Sequence, residues 1–259
     1  MSPMSLVQNF FQYLILRVSR IKARFVKNLF INIFKARYKI SLEEFARKNV
    51  NEYSSFNDFF TREFQPGSRP IDETENTIVS PVDGKILESG RVSDGKLFQL
   101  KNMDYNLSDL LNNDLELIQA FKNAFYITIY LAPNNYHRVH LPYQGKLLHN
   151  QIIGGKTYKV NEQALKKINA LYTKNVRQIT QFESSKLNLC MIMVGAMNVS
   201  SISITDKDKN IYRKGEEFAR FNLGSTVLML FPGTENIKFP DHIKFGEQIK
   251  LGECIAKFR

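Results

Sequence analysis

The first forty residues carry two apolar stripes at helical spacing. In the first stripe, six residues fall at i, i+3, i+4, i+7, i+8 and i+11: Val7, Phe10, Phe11, Leu14, Ile15 and Val18. The second stripe repeats the spacing with Val26, Leu29, Phe30, Ile33 and Phe34. Apolar residues that recur at this period occupy one face of a helix. The pattern therefore predicts two amphipathic helices within residues 1–40.

The pattern changes from residue 77 onward to short apolar or alternating runs separated by Gly, Asp and Asn. Such runs are typical of strands. We predict strands at residues 78–79, 85–89, 96–100, 125–132, 145–153, 176–182, 187–194, 202–205, 227–231 and 255–258. The fold class is therefore α+β, with N-terminal amphipathic helices followed by a predominantly antiparallel β body.

Further helices are predicted between and beside these runs. Ser41 precedes acidic residues in a capping arrangement, which predicts a helix to about residue 48. We also expect helices at 55–64, 106–122 and 162–171, with a break at residues 65–70, where two prolines and a glycine occur. We expect the chain to divide into a segment of amphipathic helices, residues 1–40, and one domain at 41–259.

The positive charge is concentrated at the N-terminus. Of a net charge of +11, residues 1–40 supply +8, because they contain eight Lys or Arg and no acidic residue. Such a segment suits nucleic acid, anionic lipid or a solvated surface. The interleaved apolar residues favour the interface of an anionic membrane over nucleic acid, although stripes that simply pack on the core remain an alternative. No apolar run reaches the ~20 residues that span a bilayer. We expect a peripheral protein on the cytoplasmic side of the cell membrane.

Candidate chemistry lies in three short motifs. His137 and His140 follow a predicted strand and suit proton transfer. Asp83 precedes Gly84, a pair that more often forms a turn. Ser225 follows Gly224 and is a candidate nucleophile. Each motif is weak alone, and no Cys, Asp or Glu near the histidines completes a metal site, so no metal is expected.

Taken together, the motifs are similar to those of the bacterial phosphatidylserine decarboxylases. The resemblance covers about residues 40–259, and its motifs occur in the family's order. They are Phe59-Phe60-Thr61-Arg62-Glu63-Phe64, Pro66-Gly67-Ser68-Arg69-Pro70-Ile71, Ser80-Pro81-Val82-Asp83-Gly84, Tyr136-His137-Arg138-Val139-His140, Lys214-Gly215-Glu216-Glu217 and Leu223-Gly224-Ser225-Thr226.

The resemblance implies a self-processing, pyruvoyl-dependent enzyme. Ser225 would attack the Gly224 carbonyl, with His140 as its base and Asp83 orienting His140. Cleavage would leave a β chain, residues 1–224, and an α chain, residues 225–259, whose Ser225 becomes a pyruvoyl group. That group would form a Schiff base with phosphatidylserine, release carbon dioxide and give phosphatidylethanolamine, with His137 as proton donor. A homodimer is also implied.

Two departures from the family pattern occur. Val176 stands between Asn175 and Arg177 where a Glu is usual, and Val199 stands where a Gly often precedes the Ser. They bear on local packing and on a possible ion pair.

Two other functions remain open, a membrane-associated serine hydrolase acting on lipids and a non-catalytic membrane-binding module. Ser225 lacks the G-x-S-x-G context of most such hydrolases.

Overall fold

A computed structural model describes residues 17–99, 103–196, 202–222, 225–233 and 236–258. Its helices are α1 (Arg24–Tyr38), α2 (Phe56–Phe60), α3 (Leu107–Leu110), α4 (Leu115–Phe121), α5 (Glu162–Leu165) and α6 (Leu171–Lys174), with a 3-10 turn at Val50–Glu52. Its strands are β1 (Thr77–Val79), β2 (Gly84–Arg91), β3 (Lys96–Gln99), β4 (Met103–Asn106), β5 (Phe125–Leu131), β6 (Arg138–His140), β7 (Gly145–Ile153), β8 (Arg177–Glu183), β9 (Asn188–Gly195), β10 (Ile202–Ile204), β11 (Ile211–Tyr212), β12 (Glu217–Phe221), β13 (Ser225–Phe231), β14 (Gln248–Ile249) and β15 (Cys254–Lys257).

An eight-stranded antiparallel sheet forms the body, in the order β11-β7-β8-β9-β13-β5-β2-β14. The predicted α+β class with an antiparallel β body is confirmed. Strand β13 lies near the centre of this sheet and is buried along its whole length. Its side chains alternate between two cores, with Val227 and Met229 in one and Leu228 and Leu230 in the other. Both faces of the sheet are therefore covered, which explains why β13 is continuously apolar from Val227 to Phe231.

A smaller antiparallel sheet, β10-β12-β6, carries the histidine motif. Glu217 of β12 pairs with His140 of β6, and the amide of Phe221 donates to the carbonyl of His137 over 2.8 Å. Residues 222–224 then connect β12 to Ser225, the first residue of β13. The strand that pairs with the histidine motif is therefore followed, after three residues, by the serine.

The N-terminal helix packs on α2 through a cluster of aromatic rings. Phe34 of α1 lies 5.1 Å from Phe56 and 6.0 Å from Phe60, measured between ring centroids. The second predicted stripe is thus divided, because Phe34 faces the protein while Leu29 and Ile33 are exposed. Most of the first stripe, residues 1–16, and the departure at Val199 lie outside the described residues.

The helix predicted at 41–48 is wrong. The hydroxyl of Ser41 accepts from the amide of Glu43 in a local turn, and Phe45 forms an isolated antiparallel bridge with Phe64. The rings of Phe45 and Phe64 stack at 4.8 Å. A side-chain turn and a tertiary β contact therefore replace the first helical turn that the capping pattern predicted.

The helices predicted at 106–122 and 162–171 are each replaced by two short helices. Asn112 and Asn113, at φ 57° and 59°, separate α3 from α4, and Ala170, at φ 50°, precedes α6. An L residue in this region ends a right-handed helix.

Arg177, next to the unusual Val176, donates from Nε to the carbonyl of Leu110 over 2.7 Å. Its other bonds also go to carbonyl oxygens, of Asp109, Thr173 and Asn175.

Candidate active site

Ser225 begins β13 and is fully buried. Its backbone pairs with Leu131 of β5 on one side and with Gly195 of β9 on the other. Its hydroxyl oxygen has no hydrogen-bond partner among the described residues. A buried hydroxyl without a partner is costly, so such a group in a well-packed sheet is a candidate for chemistry. Gly224 lies outside the described residues.

His137 is buried, and one of its ring nitrogens has a partner. Nδ1 lies 2.9 Å from the carbonyl oxygen of Asn135. A carbonyl only accepts, so Nδ1 carries the proton and Nε2 holds a lone pair. Nε2 is buried without a partner in the described part of the chain. Burial first, and then the charge of Arg62, lower the pKa of His137 to about 3, so the ring is neutral at physiological pH.

His140 has partners at both ring nitrogens. Nδ1 donates to the carbonyl of Gly215 over 2.8 Å, and Nε2 accepts from the hydroxyl of Tyr136 over 2.9 Å. Burial raises the pKa of Tyr136 far above its usual value, so that hydroxyl keeps its proton. Burial lowers the pKa of His140, and the bond to Gly215 and the charges of Glu217 and Asp83 oppose this shift. His140 is thus held as a neutral ring with its lone pair on Nε2.

Asp83 lies in the turn before β2 and binds Arg69 rather than His140. Its carboxylate accepts from Nη2 of Arg69 over 2.7 Å, from Nε over 3.0 Å, and from the amide of Leu251 over 2.8 Å. Arg69 also binds Glu44 at 2.9 Å. Burial lowers the pKa of Arg69, but the bonds to both carboxylates outweigh it and raise that pKa. Among the described residues, Asp83 makes no hydrogen bond to His140, and its charge is one of those that oppose the lowering of the His140 pKa.

A cavity of about 270 Å³ joins His140 to the Asp83 neighbourhood. Arg69, Tyr136, Gly215, Glu217 and Leu251 are among the residues that line it. Gly215 has φ +74°, and a Cβ there would lie 2.7 Å from the side chain of Ile71. The Lys-Gly-Glu-Glu motif thus supplies the carbonyl that fixes His140, a role that its glycine alone can serve.

The predicted site residues fall into two neighbourhoods. His140 and Asp83 lie near the cavity, with Asp83 bound to the cavity-lining Arg69, whereas His137 packs 4.0 Å from the ring of Phe60. The sequence did not indicate that Tyr136 and Gly215 bind His140 or that Arg69 binds Asp83. All three residues lie in the motifs that carry the resemblance, and only their presence in those motifs could have singled them out. No described group of three or more His, Cys, Asp or Glu side chains could hold a metal ion.

Comparison with known proteins identifies the family. The family model described as phosphatidylserine decarboxylase matches residues 56–257. A phosphatidylserine decarboxylase proenzyme of Psychrobacter arcticus is 37% identical over 229 residues, which cover 83% of this chain and 82% of the relative. A protein of the same name from Hahella chejuensis is 37% identical over 225 residues, covering 80% and 76%. A third, from Pseudomonas entomophila, is 33% identical over 244 residues, covering 86% and 85%.

A predominantly antiparallel α+β fold with a buried, unpartnered serine and two buried histidines of fixed tautomer is that of a candidate enzyme. The chain belongs to the phosphatidylserine decarboxylase family. The resemblance seen in the sequence is thereby confirmed, as is the expectation that the chain is an enzyme of this family. A non-catalytic membrane module is not supported.

Proposed function

We propose that this chain decarboxylates phosphatidylserine to phosphatidylethanolamine after cutting itself between Gly224 and Ser225. The observation that carries the proposal is the buried, unpartnered hydroxyl of Ser225 at the start of β13. Relatives that match most of the chain are named as proenzymes, which supports a processing step. A serine hydrolase is not favoured by these relatives.

Self-cleavage begins when the oxygen of Ser225 attacks the carbonyl carbon of Gly224. The amide nitrogen of Ser225 leaves that carbon and takes a proton, and an ester replaces the peptide bond. Loss of a proton from Cα and elimination of the ester oxygen give residues 1–224 a free carboxylate. Residue 225 becomes dehydroalanine. Addition of water and loss of ammonia then make it a pyruvoyl group.

His140 is the base for this step, with Asp83 as its electrostatic partner. The Nε2 lone pair of His140 accepts from the hydroxyl of Tyr136, so it has to be released from that bond before it takes a proton, and the charge of Asp83 would stabilise that proton. Gly215 holds the other nitrogen in its protonated form. The fixed tautomer is the one that a general base requires.

The buried position of Ser225 fits a pyruvoyl group, because a ketone there is shielded from water. Such a group would supply an electron sink, a carbonyl able to take up the substrate amine and the electron pair released with carbon dioxide. His137 supplies the proton that replaces carbon dioxide at the substrate carbon. Its ring is neutral in the unliganded chain, so it takes up a proton at Nε2 first, helped by the anionic groups of the lipid.

The outer face of α1 supports membrane attachment. Phe25, Leu29 and Ile33 are 82%, 49% and 57% exposed, whereas Lys27 of the same helix is 5% exposed and donates to the carbonyl of Val50 over 3.2 Å. Apolar residues outside and a cation inside invert the usual arrangement of a surface helix. No helix in the described residues is long and apolar enough to cross a bilayer.

The exposed face of α1 therefore lies in the interface of an anionic membrane. The aromatic and aliphatic side chains enter the acyl boundary, and neighbouring cations such as Arg37 meet lipid headgroups. This attachment brings the site to a substrate that stays in the bilayer, on the cytoplasmic side of the cell membrane. The homodimer implied by the resemblance stays a prediction.

An intact-mass measurement on purified protein tests the proposal. We expect two chains, residues 1–224 and 225–259, with the small chain lighter by one ammonia than its unmodified sequence. Ser225→Ala should remain one chain and release no carbon dioxide from phosphatidylserine. A folded wild-type chain that stays intact and hydrolyses lipid esters would instead support the serine hydrolase.

A further inference from the structure

The segment 59–64 contacts the histidine motif residue by residue. Phe60 packs on His137, Phe64 stacks on Tyr136 at 4.2 Å, and Glu63 forms an ion pair of 2.6 Å with Arg138. The carbonyl of Thr61 accepts from Nε of Arg138 over 2.8 Å. This segment adjoins the aromatic cluster under α1. It is therefore the support on which residues 134–138 rest.

Arg62 is the buried centre of this support. It is 0% exposed, and its Nη2 donates to the carbonyl of Asn134 over 2.7 Å and to that of Asn135 over 3.2 Å. Its guanidinium carbon lies 4.4 Å from the ring centre of Phe45 and 5.2 Å from that of Phe59. The Arg62 guanidinium is thus buried near the rings of Phe45 and Phe59, and it donates to carbonyls of the loop at residues 134–135.

Burying a guanidinium without a direct ion pair is expensive. Burial lowers the pKa of Arg62 to about 10, and the group remains charged at physiological pH. Among the described residues, its hydrogen bonds go only to carbonyl oxygens, those of Phe59, Asn134 and Asn135. A neutral residue of similar volume would fill the same space at lower cost. Packing alone therefore does not explain why a charged residue occupies position 62.

One carbonyl links Arg62 to the histidine. The oxygen of Asn135 accepts from Nη2 of Arg62 and from Nδ1 of His137. Its position decides which nitrogen of His137 carries the proton, because the neutral ring has only one N–H to donate. We propose that Arg62 is a positioning residue for His137, fixing the Asn135 carbonyl and thereby holding the ring proton on Nδ1 and the lone pair on Nε2. What His137 does with that lone pair rests on the proposed function.

Two substitutions separate the geometry of Arg62 from its charge. Arg62→Lys keeps the cation but loses the planar fork that reaches two carbonyls. Arg62→Gln loses the cation that helps to keep His137 neutral. We expect the lysine variant to populate the Nε2-protonated tautomer of His137. We expect the glutamine variant to do the same and also to raise the pKa of His137 by at least one unit.

Imidazole nitrogen NMR tests this without any turnover. The protein is labelled with ¹⁵N-histidine in the uncleavable Ser225→Ala background, and His137 is identified among four histidines by its loss in His137→Asn. The parent should show neutral, Nδ1-protonated His137 down to pH 5, and the titration is continued to the lowest pH at which each variant stays folded, so that a rise of the pKa from about 3 is visible. Arg47→Gln is the matched control, because Arg47 binds Asp58 of α2 and stacks on Tyr53 without contacting residues 134–137. It should leave the His137 signals unchanged.

A second readout uses the processed enzyme. Both Arg62 variants should still cleave themselves, and their kcat for phosphatidylserine in mixed micelles should fall at least tenfold with KM within twofold. His137 tautomer and pKa values equal to those of the parent in folded variants would overturn the proposal. Loss of folding in both variants would assign Arg62 to stability alone and also contradict it. A wild-type chain without decarboxylase activity would refute the proposed function, while the NMR result would still decide the role of Arg62.

Discussion

Asp83 and Glu44 share the guanidinium of Arg69, but only Asp83 is buried beside the cavity of His140. Asp83→Asn removes the charge that favours a proton on His140 and leaves Arg69 with the more exposed carboxylate. We expect self-cleavage of Asp83→Asn to slow by about tenfold or more, in line with the usual contribution of a positioned base. The rate is followed on a denaturing gel after synthesis in a cell-free system.

Glu44→Gln is the control for this prediction. It removes the other carboxylate from Arg69, and the side chain of Glu44 is 55% exposed. Its cleavage rate should stay within twofold of the wild type, since an exposed ion pair contributes little. Equal slowing in both variants would show that Arg69, rather than the charge of Asp83, governs the reaction.

Glu88 gives a prediction about stability and pH. Burial raises its pKa from 4.5 to about 7 in the folded chain. The folded state therefore binds the proton more tightly than the unfolded state. The resulting stabilisation is complete below pH 4.5 and is lost as the pH rises through 7. Glu88→Gln should raise the free energy of unfolding at pH 8 by about 1 kcal/mol, after allowance for solvent screening at a half-buried site.

Urea denaturation at two pH values checks this expectation. At pH 5 the glutamine variant and the wild type should differ little, because a protonated carboxyl and an amide are both neutral. A gain of the same size at both pH values would mean that packing rather than ionisation is responsible. Glu88 lies in β2 opposite Thr128 and does not contact the candidate site residues.

At the level of single residues, the motifs named Ser225, His137, His140 and Asp83 but not their partners. Arg69 is 14 residues from Asp83, and Gly215 is 75 residues from His140. Each of these contacts depends on how separate turns and strands meet in the folded chain. A local pattern contains no information on how these turns and strands meet. This is why the sequence did not reveal that Asp83 binds Arg69 instead of making the direct contact with His140 that the resemblance implies.

At the level of elements, α1 shows what periodicity determines. The apolar spacing at residues 26–34 predicted a helix, and the structure has one at Arg24–Tyr38. Which face turns inward could not be predicted, because Lys27 and Ile31 form the buried side together with Phe34. The Lys27 ammonium donates hydrogen bonds to the carbonyls of Val50 and Asn51, which belong to a turn distant in the sequence. Tertiary partners thus decided the orientation.

The exposed face of α1 gives the prediction at this scale. Phe25→Ser together with Ile33→Ser should weaken binding to vesicles of phosphatidylglycerol and phosphatidylethanolamine by about tenfold or more, because both side chains would leave the acyl boundary. The melting temperature should not change, since both residues are exposed. Vesicle co-sedimentation and calorimetry measure the two quantities.

Ile31→Ala is the matched control on the opposite face of α1. Ile31 is fully buried, so its truncation should lower the free energy of unfolding by about 3 kcal/mol. Vesicle binding of the folded protein should remain close to that of the wild type. If the double serine variant bound vesicles as tightly as the wild type, the proposed membrane face would be wrong.

At the scale of the whole molecule, the antiparallel pairing decides where the motifs meet. Strand β12 lies against the histidine strand β6 and leads directly to β13, which inserts between β5 and β9. The sequence indicated strands and an α+β class, but it did not indicate this order. Strands β4, β6, β11, β12 and β14 were not predicted. Of these, β6, β11 and β14 have only two or three residues, too few for an alternating pattern to show.

The same topology predicts the behaviour of the cleaved protein. The proposed small chain, residues 225–259, contributes β13 to the sheet interior, β14 beside β2 and β15 beside β1. Every residue of β13 is buried, and the strand pairs on both sides with the proposed large chain. Cutting the peptide bond before Ser225 removes none of these contacts. We therefore expect the two chains to stay together in native solution and to separate only on denaturation.

Native mass spectrometry and size exclusion compare wild-type protein with the uncleaved Ser225→Ala chain. The two should have the same native mass apart from the loss of ammonia, the gain of water and the one oxygen that alanine lacks, and melting temperatures that differ by only a few degrees. A disulfide or linker is not needed for this association, because β13 carries its own apolar core contacts, including Val227 and Leu228. Release of the small chain under native conditions would mean that the sheet is rebuilt after cleavage. The fold described for the intact chain would then not be that of the active enzyme.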